Sequence, residues 1–222
     1  TAGLVISGAD PTKITTTQEY DGTTWTNGGA VTTARVDAGS AGTQTSALVT
    51  GGTAPPGPTA VTEEYDGTSW TAGNDLNTGR AYAMGAGTTT AGILFGGMTG
   101  DPSLTGNTDV TETWDGTSWS TSPATLNSPR REAGGSGTQT LALCFGGVGP
   151  PSNEKKAVTE AFDGTSWTEV ADLATARYSV SSSKAGTTSA TLAAGGNTGS
   201  APTYNITEEF GPRNVVKTVT VS

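Results

Sequence analysis

One short phrase recurs along the chain and constrains its fold more than any other feature. It reads "YDGTTW", "YDGTSW", "WDGTSW" and "FDGTSW", and a degenerate fifth copy reads "EEFGPRNVV". The aromatic residues before the turn are spaced by 45, 49, 48 and 48 residues. A repeat of this length is typical of a four-stranded propeller blade and is too long for leucine-rich or ankyrin units. These aromatics are Tyr20, Tyr65, Trp114, Phe162 and Phe210, and the tryptophans after the turn are Trp25, Trp70, Trp119 and Trp167.

Each repeat divides into four short strands, which we label a to d from the centre of the propeller outward. In the third repeat "RAYAMGAG" is predicted as strand a, "TTAGILFGG" as b, "DVTETWDG" as c and "SWSTS" as d, since turn residues bound each run. No stretch has helical periodicity. The sequence therefore predicts an all-β, five-bladed propeller of four-stranded antiparallel blades. The blades are expected at approximately 1–27, 34–72, 80–121, 130–169 and 177–222.

The Asp-Gly turn explains why the phrase is repeated. Glycine takes positive φ without strain in the tight reversal between strands c and d. With a four-residue "DGTS" loop, Tyr65 faces Trp70 across the hairpin. Such an aromatic pair stabilises a ladder by about 0.2–1 kcal/mol. The phrase is therefore predicted to form a packing wedge in every blade.

Four positions in each repeat carry a resemblance to a known family. Double glycines end strand b at 51–52, 96–97, 146–147 and 195–196, with Ser7 and Gly8 as a weaker fifth pair. Segments such as "LNTGRAYA" and "LNSPRREA" lead into strand a. The order double glycine, aromatic, Trp and Arg resembles the kelch repeat, although the c–d loop is shorter than kelch repeats usually carry. Repeats of the "YDGTSW" type are also similar to those of structural and tail proteins of marine bacteriophages.

The first and last repeats differ from the others. "TAGLVISGA" aligns with "TAGILFGGM" from Thr90, so the first blade begins inside an a–b hairpin and lacks strand a. "NVVKTVTVS" follows "GPRN" as "SWTAG" follows "DGT", and it is predicted to be strand d of the fifth blade. Either this tail supplies the missing strand, or a preceding segment has been removed or belongs to another chain, because a closed ring leaves no open edge. We expect a ring cut from a longer protein.

Charge and residue usage exclude several kinds of function. A net charge of -9 disfavours nucleic acid and anionic membrane surfaces as partners, since both bind clustered Lys and Arg. No apolar run approaches the length of a membrane span, so membrane insertion is not expected. The chain has no histidine, which removes the usual general base and transition-metal ligand. Its single cysteine, Cys144, excludes an internal disulfide and is expected in the core. We expect no enzyme activity, no cofactor and no metal.

The loops point to one face of the ring as a recognition surface. The a–b and c–d turns are nearly invariant, whereas the b–c loops differ in length and content, as recognition loops commonly do. Every b–c loop contains proline, which restricts the loop before binding or merely keeps it from pairing as a strand. The candidate ligand-binding residues on these loops are Lys13, Asp101, Asn107, Lys155, Lys156 and Tyr204.

One arginine per blade is expected at the mouth of each inner strand of blades two to five. A ring of guanidinium groups could hold an anionic group such as a sugar acid. Alternatively, each arginine pairs with a glutamate two residues before the strand-c aromatic, across the double glycine. The neighbouring Arg131 departs from the pattern and is expected to face solvent. The four arginines are Arg35, Arg80, Arg130 and Arg177; the glutamates are Glu63, Glu112, Glu160 and Glu208, and blade one has Gln18 instead.

These patterns favour a non-enzymatic binding or structural module. The phage resemblance implies a virion, as a tail or fibre part, or a microbial surface, with an extracellular or virion-surface location. The b–c loop face would meet a glycan or a cell-surface protein, and the termini could join neighbouring subunits. A soluble lectin-like propeller and a degenerate glycosidase remain the alternatives, although glycosidases need two differently placed carboxylates and the glutamates here are repeated evenly.

Overall fold

The computed structural model describes residues 2–100, 106–183, 187–199, 206–211 and 215–219, and all regular elements in these ranges are strands. Five antiparallel sheets in a ring form a five-bladed β-propeller, which confirms the predicted fold class. Blade 1 contains β1 (Gly3–Ala9), β2 (Lys13–Tyr20) and β3 (Trp25–Asn27). Blade 2 contains β4 (Gly39–Thr43), β5 (Ser46–Thr50), a loop ribbon of β6 (Thr53–Ala54) and β7 (Gly57–Pro58), β8 (Thr62–Tyr65) and β9 (Trp70–Ala72).

The remaining three blades follow the same order. Blade 3 contains β10 (Met84–Gly87), β11 (Gly92–Phe95), β12 (Thr111–Trp114) and β13 (Trp119–Thr121). Blade 4 contains β14 (Gly134–Gly137), β15 (Ala142–Phe145), a ribbon of β16 (Val148–Gly149) and β17 (Glu154–Lys155), β18 (Thr159–Phe162) and β19 (Trp167–Glu169). Blade 5 contains β20 (Ser181–Ser182), β21 (Thr191–Ala194), β22 (Thr207–Gly211) and β23 (Val215–Val219). In the described part of the chain no helix could span a membrane.

The end blades match the sequence alignment. Blade 1 has three strands because β1 corresponds to strand b of the other blades, and β23 pairs with β22 as the predicted strand d of blade 5. The inner strands are shorter than predicted. In blade 3 strand a begins at Met84 instead of Arg80, because Tyr82 takes a φ of 56° and turns the chain out of the extended conformation.

The c–d hairpin has the predicted four-residue loop. Tyr65 pairs with Trp70 in the register of β8 and β9, and their ring centroids lie 4.8 Å apart. One carboxylate oxygen of Asp66 accepts the backbone N–H groups of Thr68 and Ser69, both at 2.8 Å. This Asx turn explains why Asp begins the turn in every well-preserved copy of the phrase.

The hydrophobic core lies between blades. Four clusters fill the boundaries from blade 1/2 to blade 4/5, and each contains side chains from both neighbouring blades. Cys144 is buried in the blade 3/4 cluster, as predicted, and burial raises the pKa of its thiol. Trp167 of blade 4 packs in the same cluster beside Phe95 of blade 3. Burying one such side chain stabilises the fold by about 2–3 kcal/mol.

The double glycines allow a close backbone approach that no other residue would permit. Gly51 and Gly52 have φ values of 65° and 94°, and a Cβ on Gly51 would lie 2.4 Å from the carbonyl oxygen of Arg80. Ser7 takes the corresponding place in blade 1 with a φ of 60°, and Gly8 donates its N–H to the carbonyl of Arg35 at 3.2 Å. The weaker fifth pair is therefore confirmed.

Candidate functional site

The face that carries the c–d turns is uniform. In all four Asp-Gly turns the aspartate accepts two backbone N–H groups, which lower the pKa of Asp21, Asp66 and Asp115. A further hydrogen bond from the Thr165 hydroxyl lowers the pKa of Asp163 to about 2. Four near-identical turns offer the same small surface each time, which suits a scaffold.

The four repeated arginines lie beneath the opposite face and are buried in ion pairs. Arg80 lies 2.8 Å from Glu112 and Arg177 lies 2.8 Å from Glu208, with guanidinium groups fully inaccessible to solvent. Arg35 pairs with Glu63 and Arg130 with Glu160 in the same way. The predicted Arg–Glu contact is therefore confirmed, and a ligand on the surface would not reach any of these guanidinium groups.

These ion pairs attach the d–a segment to strand c. Glu112 also accepts the backbone N–H and side-chain amide of Asn77, both at 2.8 Å, while Arg130 donates to the carbonyl of Val158 at 2.8 Å. Burial lowers the pKa of the Arg35 and Arg80 guanidinium groups, and the carboxylates of Glu63 and Glu112 oppose that shift. A buried charge that is paired and hydrogen-bonded in this way is a structural element.

Four residues with left-handed backbone form a polar ring around the mouth of the central channel. This axial ring is joined by backbone hydrogen bonds from one blade to the next, at 2.8 Å, 3.2 Å and 2.7 Å. It borders a cavity of about 340 Å³. Each member follows the repeated arginine by two positions. The axial ring consists of Asp37, Tyr82, Glu132 and Ser179.

The side chains of the axial ring interact in pairs. Burial raises the pKa of Asp37, while a hydrogen bond from the Tyr82 hydroxyl opposes the rise. Burial and the charge of Asp37 raise the pKa of Tyr82. Glu132 accepts the hydroxyl of Ser179 at 2.8 Å. The ring therefore presents hydroxyl and carboxylate groups at fixed positions on the axis.

Beside the axial ring, Arg131 joins two b–c loops. Its guanidinium group donates to the side-chain oxygens of Asn107 at 2.8 Å and Asn153 at 3.0 Å, and its Nε lies 3.3 Å from Glu132. The side chain is only 12% exposed, so the expectation that it faces solvent is wrong. The backbone of Arg131 also forms an antiparallel β-bridge with Val148, at the start of the blade 4 loop, which fixes its position further. We call Asn107, Arg131 and Asn153 the Arg131 junction.

A polar groove continues from the junction toward blade 5. It has a volume of about 730 Å³ and is bordered by Asn153, Glu154 and Lys155 on one side and Thr175 and Thr198 on the other. Lys155 is exposed and contributes its side chain to the groove. Lys156 instead donates to the carbonyl of Pro150 at 2.7 Å, so its ammonium group holds the loop of blade 4.

The remaining candidates lie apart from this groove or cannot be placed. Lys13 begins β2 on blade 1, where its charge partly opposes the rise in the pKa of Asp37 that burial causes. Asp101 and Tyr204 lie outside the described residues. Within the described ranges no group of three or more acidic, cysteine or histidine residues could hold a metal ion.

Sequence reasoning missed the axial ring and Asn153. The sequence did contain a signal for the ring. The residue two positions after each repeated arginine changes from blade to blade, as Asp, Tyr, Glu and Ser, although the segments around it are similar. Uniform placement with variable chemistry is typical of positions that a scaffold presents for recognition.

Fold and site together define a five-bladed β-propeller with a uniform turn face and a variable polar loop face. Neither a scan against protein-family models nor a search of curated proteins returns a match.

Proposed function

We propose that the chain is a non-catalytic binding module that recognises a glycan or a cell-surface protein through its b–c loop face, as part of a phage tail or fibre or a microbial surface. The observation that carries the proposal is the Arg131 junction with its groove. The open groove is bordered by the Asn153 amide, the Lys155 ammonium group and the hydroxyls of Thr175 and Thr198, and these groups suit the hydroxyls of a sugar. The Arg131 guanidinium group holds Asn153 by a hydrogen bond of 3.0 Å. The phage-like "YDGTSW" repeats support the setting.

A non-catalytic role is supported by how the repeated carboxylates are used. The glutamates of strand c are engaged by arginines and backbone N–H groups, so they cannot serve as the paired acid and base of a glycosidase. The chain also contains no histidine. Glycan binding is favoured over a protein ligand because the groove is polar, without a large exposed apolar patch among its bordering residues.

The proposal is tested by binding of the purified chain to an oligosaccharide array and to candidate host cells. Arg131→Met and Lys155→Ala should each weaken binding at least about tenfold, with unchanged circular dichroism. Thr117→Ala, in an exposed turn on the opposite face, is the matched control and should bind as the parent does. Equal binding by all variants overturns the loop-face assignment, and turnover of a bound glycan overturns the non-catalytic role.

A further inference from the structure

The ammonium group of Lys155 borders the polar groove and has no ion-pair partner in the described part of the chain. Glu154, the acidic residue that borders the same groove, lies 3.7 Å from Lys156. The b–c loop of blade 5, across the groove, contains no aspartate or glutamate anywhere along residues 197–206. Although the chain has a net charge of -9, this groove therefore carries a positive charge that no described carboxylate neutralises.

The backbone of Lys155 is fixed on the blade 4 side of the groove. Lys155 of β17 pairs with Val148 of β16, and Val148 forms a β-bridge with Arg131. The N–H of Lys156 donates to the carbonyl of Gly147 at 2.8 Å. The charge thus stands on a paired ribbon, which lowers the ordering cost of binding a ligand there.

The side chain of Lys155 reaches across to blade 5. A Cβ on Gly199 would lie 2.6 Å from Lys155 Cε and closer still to its Nζ, so the ammonium group lies against the backbone of Gly199. Gly199 takes a φ of 79° and donates its N–H to Asn197 Oδ1 at 2.6 Å. Asn197 in turn forms a β-bridge with Tyr178. The charge of Lys155 is therefore placed at a defined point between the two loops.

The nearest amide also presents a donor to the groove. The side-chain oxygen of Asn153 accepts a hydrogen bond from Arg131 at 3.0 Å, which assigns the other end of the amide as its NH₂ group. That NH₂ group makes no hydrogen bond within the described residues. Amide and ammonium N–H groups without partners suit an anionic oxygen, because hydrogen bonds between a charged donor and a charged acceptor are the strong ones.

We propose that the polar groove binds a sugar that carries an anionic group, a carboxylate or a sulfate, and that Lys155 and Asn153 hold that group. The inference rests on the proposed glycan function and names the class of glycan. A lysine ammonium is a compact point charge without a fixed donor geometry, so it accepts either anion. The four repeated arginines do not supply this charge, since they are buried and paired. Glu154 and Thr175 remain for the sugar hydroxyls.

The test compares acidic oligosaccharides with their own neutral forms on the 222-residue chain. The probes are oligomers of galacturonate, of mannuronate and of sulfated galactose, each also prepared after carboxyl reduction or desulfation. By calorimetry the chain should bind at least one acidic form at least about tenfold more tightly than its neutral form. The preference should decrease as salt is added, since the group is solvent-accessible. Uronate binding identifies a carboxylate as the bound group, and sulfated galactose binding identifies a sulfate.

Variants assign the preference to Lys155. Lys155→Met removes the charge and should lower the affinity for the acidic form to about that for the neutral form, with neutral binding unchanged. Lys155→Arg keeps the charge and should keep the preference. Lys13→Met is the matched control, because it removes an equal charge on blade 1, apart from the groove. A purely structural role of Lys155 would instead weaken both forms equally.

A second measurement reports on the lysine itself. The bound acidic oligosaccharide should protect Lys155 from acetylation, read by mass spectrometry with Lys13 as the internal reference, and the neutral form should protect it less. Equal affinity for acidic and neutral forms overturns the inference while glycan recognition by the loop face stands, and so does a preference that survives in Lys155→Met. Absence of binding to every acidic and neutral form, on the array as well, overturns the proposed function and this inference with it.

Discussion

The indole N–H of Trp167 donates to the hydroxyl of Thr111 at 3.0 Å, across the boundary between blades 4 and 3. The same bond joins Trp119 to Thr62 and Trp70 to Thr17. Both partners recur in every one of these blades, since the threonine stands three residues before the aromatic of the phrase and the tryptophan ends the phrase. The phrase therefore packs within its own hairpin and also bonds to the preceding blade.

Removing this bond should destabilise the fold, and the chain supplies its own control. Thr159 of blade 4 is as buried as Thr111, but its hydroxyl has no hydrogen-bond partner among the described residues, since blade 5 carries Val216 where the other blades carry Trp. Thr111→Val should lower the free energy of unfolding by about 1–3 kcal/mol because it leaves the Trp167 N–H unpaired. Thr159→Val should be neutral or stabilising. Urea unfolding of both variants measures this, and equal losses would contradict it.

The buried ion pairs predict an asymmetry between single and double replacements. Glu160→Ala leaves Arg130 buried without its carboxylate and should cost about 3–5 kcal/mol of folding stability. Arg130→Met combined with Glu160→Leu removes both charges and should cost markedly less. Thermal unfolding of the three chains gives the comparison. A double variant less stable than Glu160→Ala would mean that the pair itself stabilises the blade strongly.

The turn aspartates predict a pH-dependent contribution to stability. The pKa of Asp163 falls from 3.8 to about 2 in the folded chain. Because the Asp163 carboxyl has a lower pKa in the folded chain than in the unfolded chain, its ionised form stabilises the fold above pH 4. That contribution disappears as the pH falls toward 2. The hydrogen bond from the Thr165 hydroxyl is the largest cause of the low pKa of Asp163. Thr165→Val should therefore raise that pKa toward the pKa values of the aspartates in the other turns. Thr117→Val is the control, because Thr117 makes only a backbone hydrogen bond to Asp115. Carboxyl NMR shifts from pH 1.5 to 6 measure both, and equal shifts in the two variants would contradict this assignment.

Much of the fold could be predicted because the repeat fixes local structure. The Tyr65–Trp70 register follows from a four-residue loop, and the positive φ of Gly51 follows from glycine itself. The Arg80–Glu112 pair was predictable from equal spacing in every blade. The hairpin register and the ion pair depend on contacts within one blade, which a short stretch of sequence contains.

Features that depend on how one blade meets the next were not predictable in the same way. The Trp167–Thr111 bond joins residues 56 positions apart, and no pattern within one repeat links them. Arg131 was expected in solvent because its neighbour Arg130 already filled the repeated position. It is held by Asn107 from blade 3 and Asn153 from blade 4, whose b–c loops differ in length and have no common register.

Cys144 offers a probe for opening of the blade 3/4 boundary. Its thiol is fully buried beside Phe162 and Trp167, and burial raises its pKa, so the reactive thiolate is both shielded and disfavoured. Alkylation by iodoacetamide at pH 8 should be slower than that of a free thiol by a factor that tracks the equilibrium of opening. Trp167→Phe should accelerate labelling because it removes the Thr111 bond and packing volume at this boundary. Trp70→Phe, at the blade 1/2 boundary, should accelerate it less. Labelling of the native chain at the rate of a free thiol would contradict the buried position, and equal acceleration by the two variants would show that the ring opens as a whole.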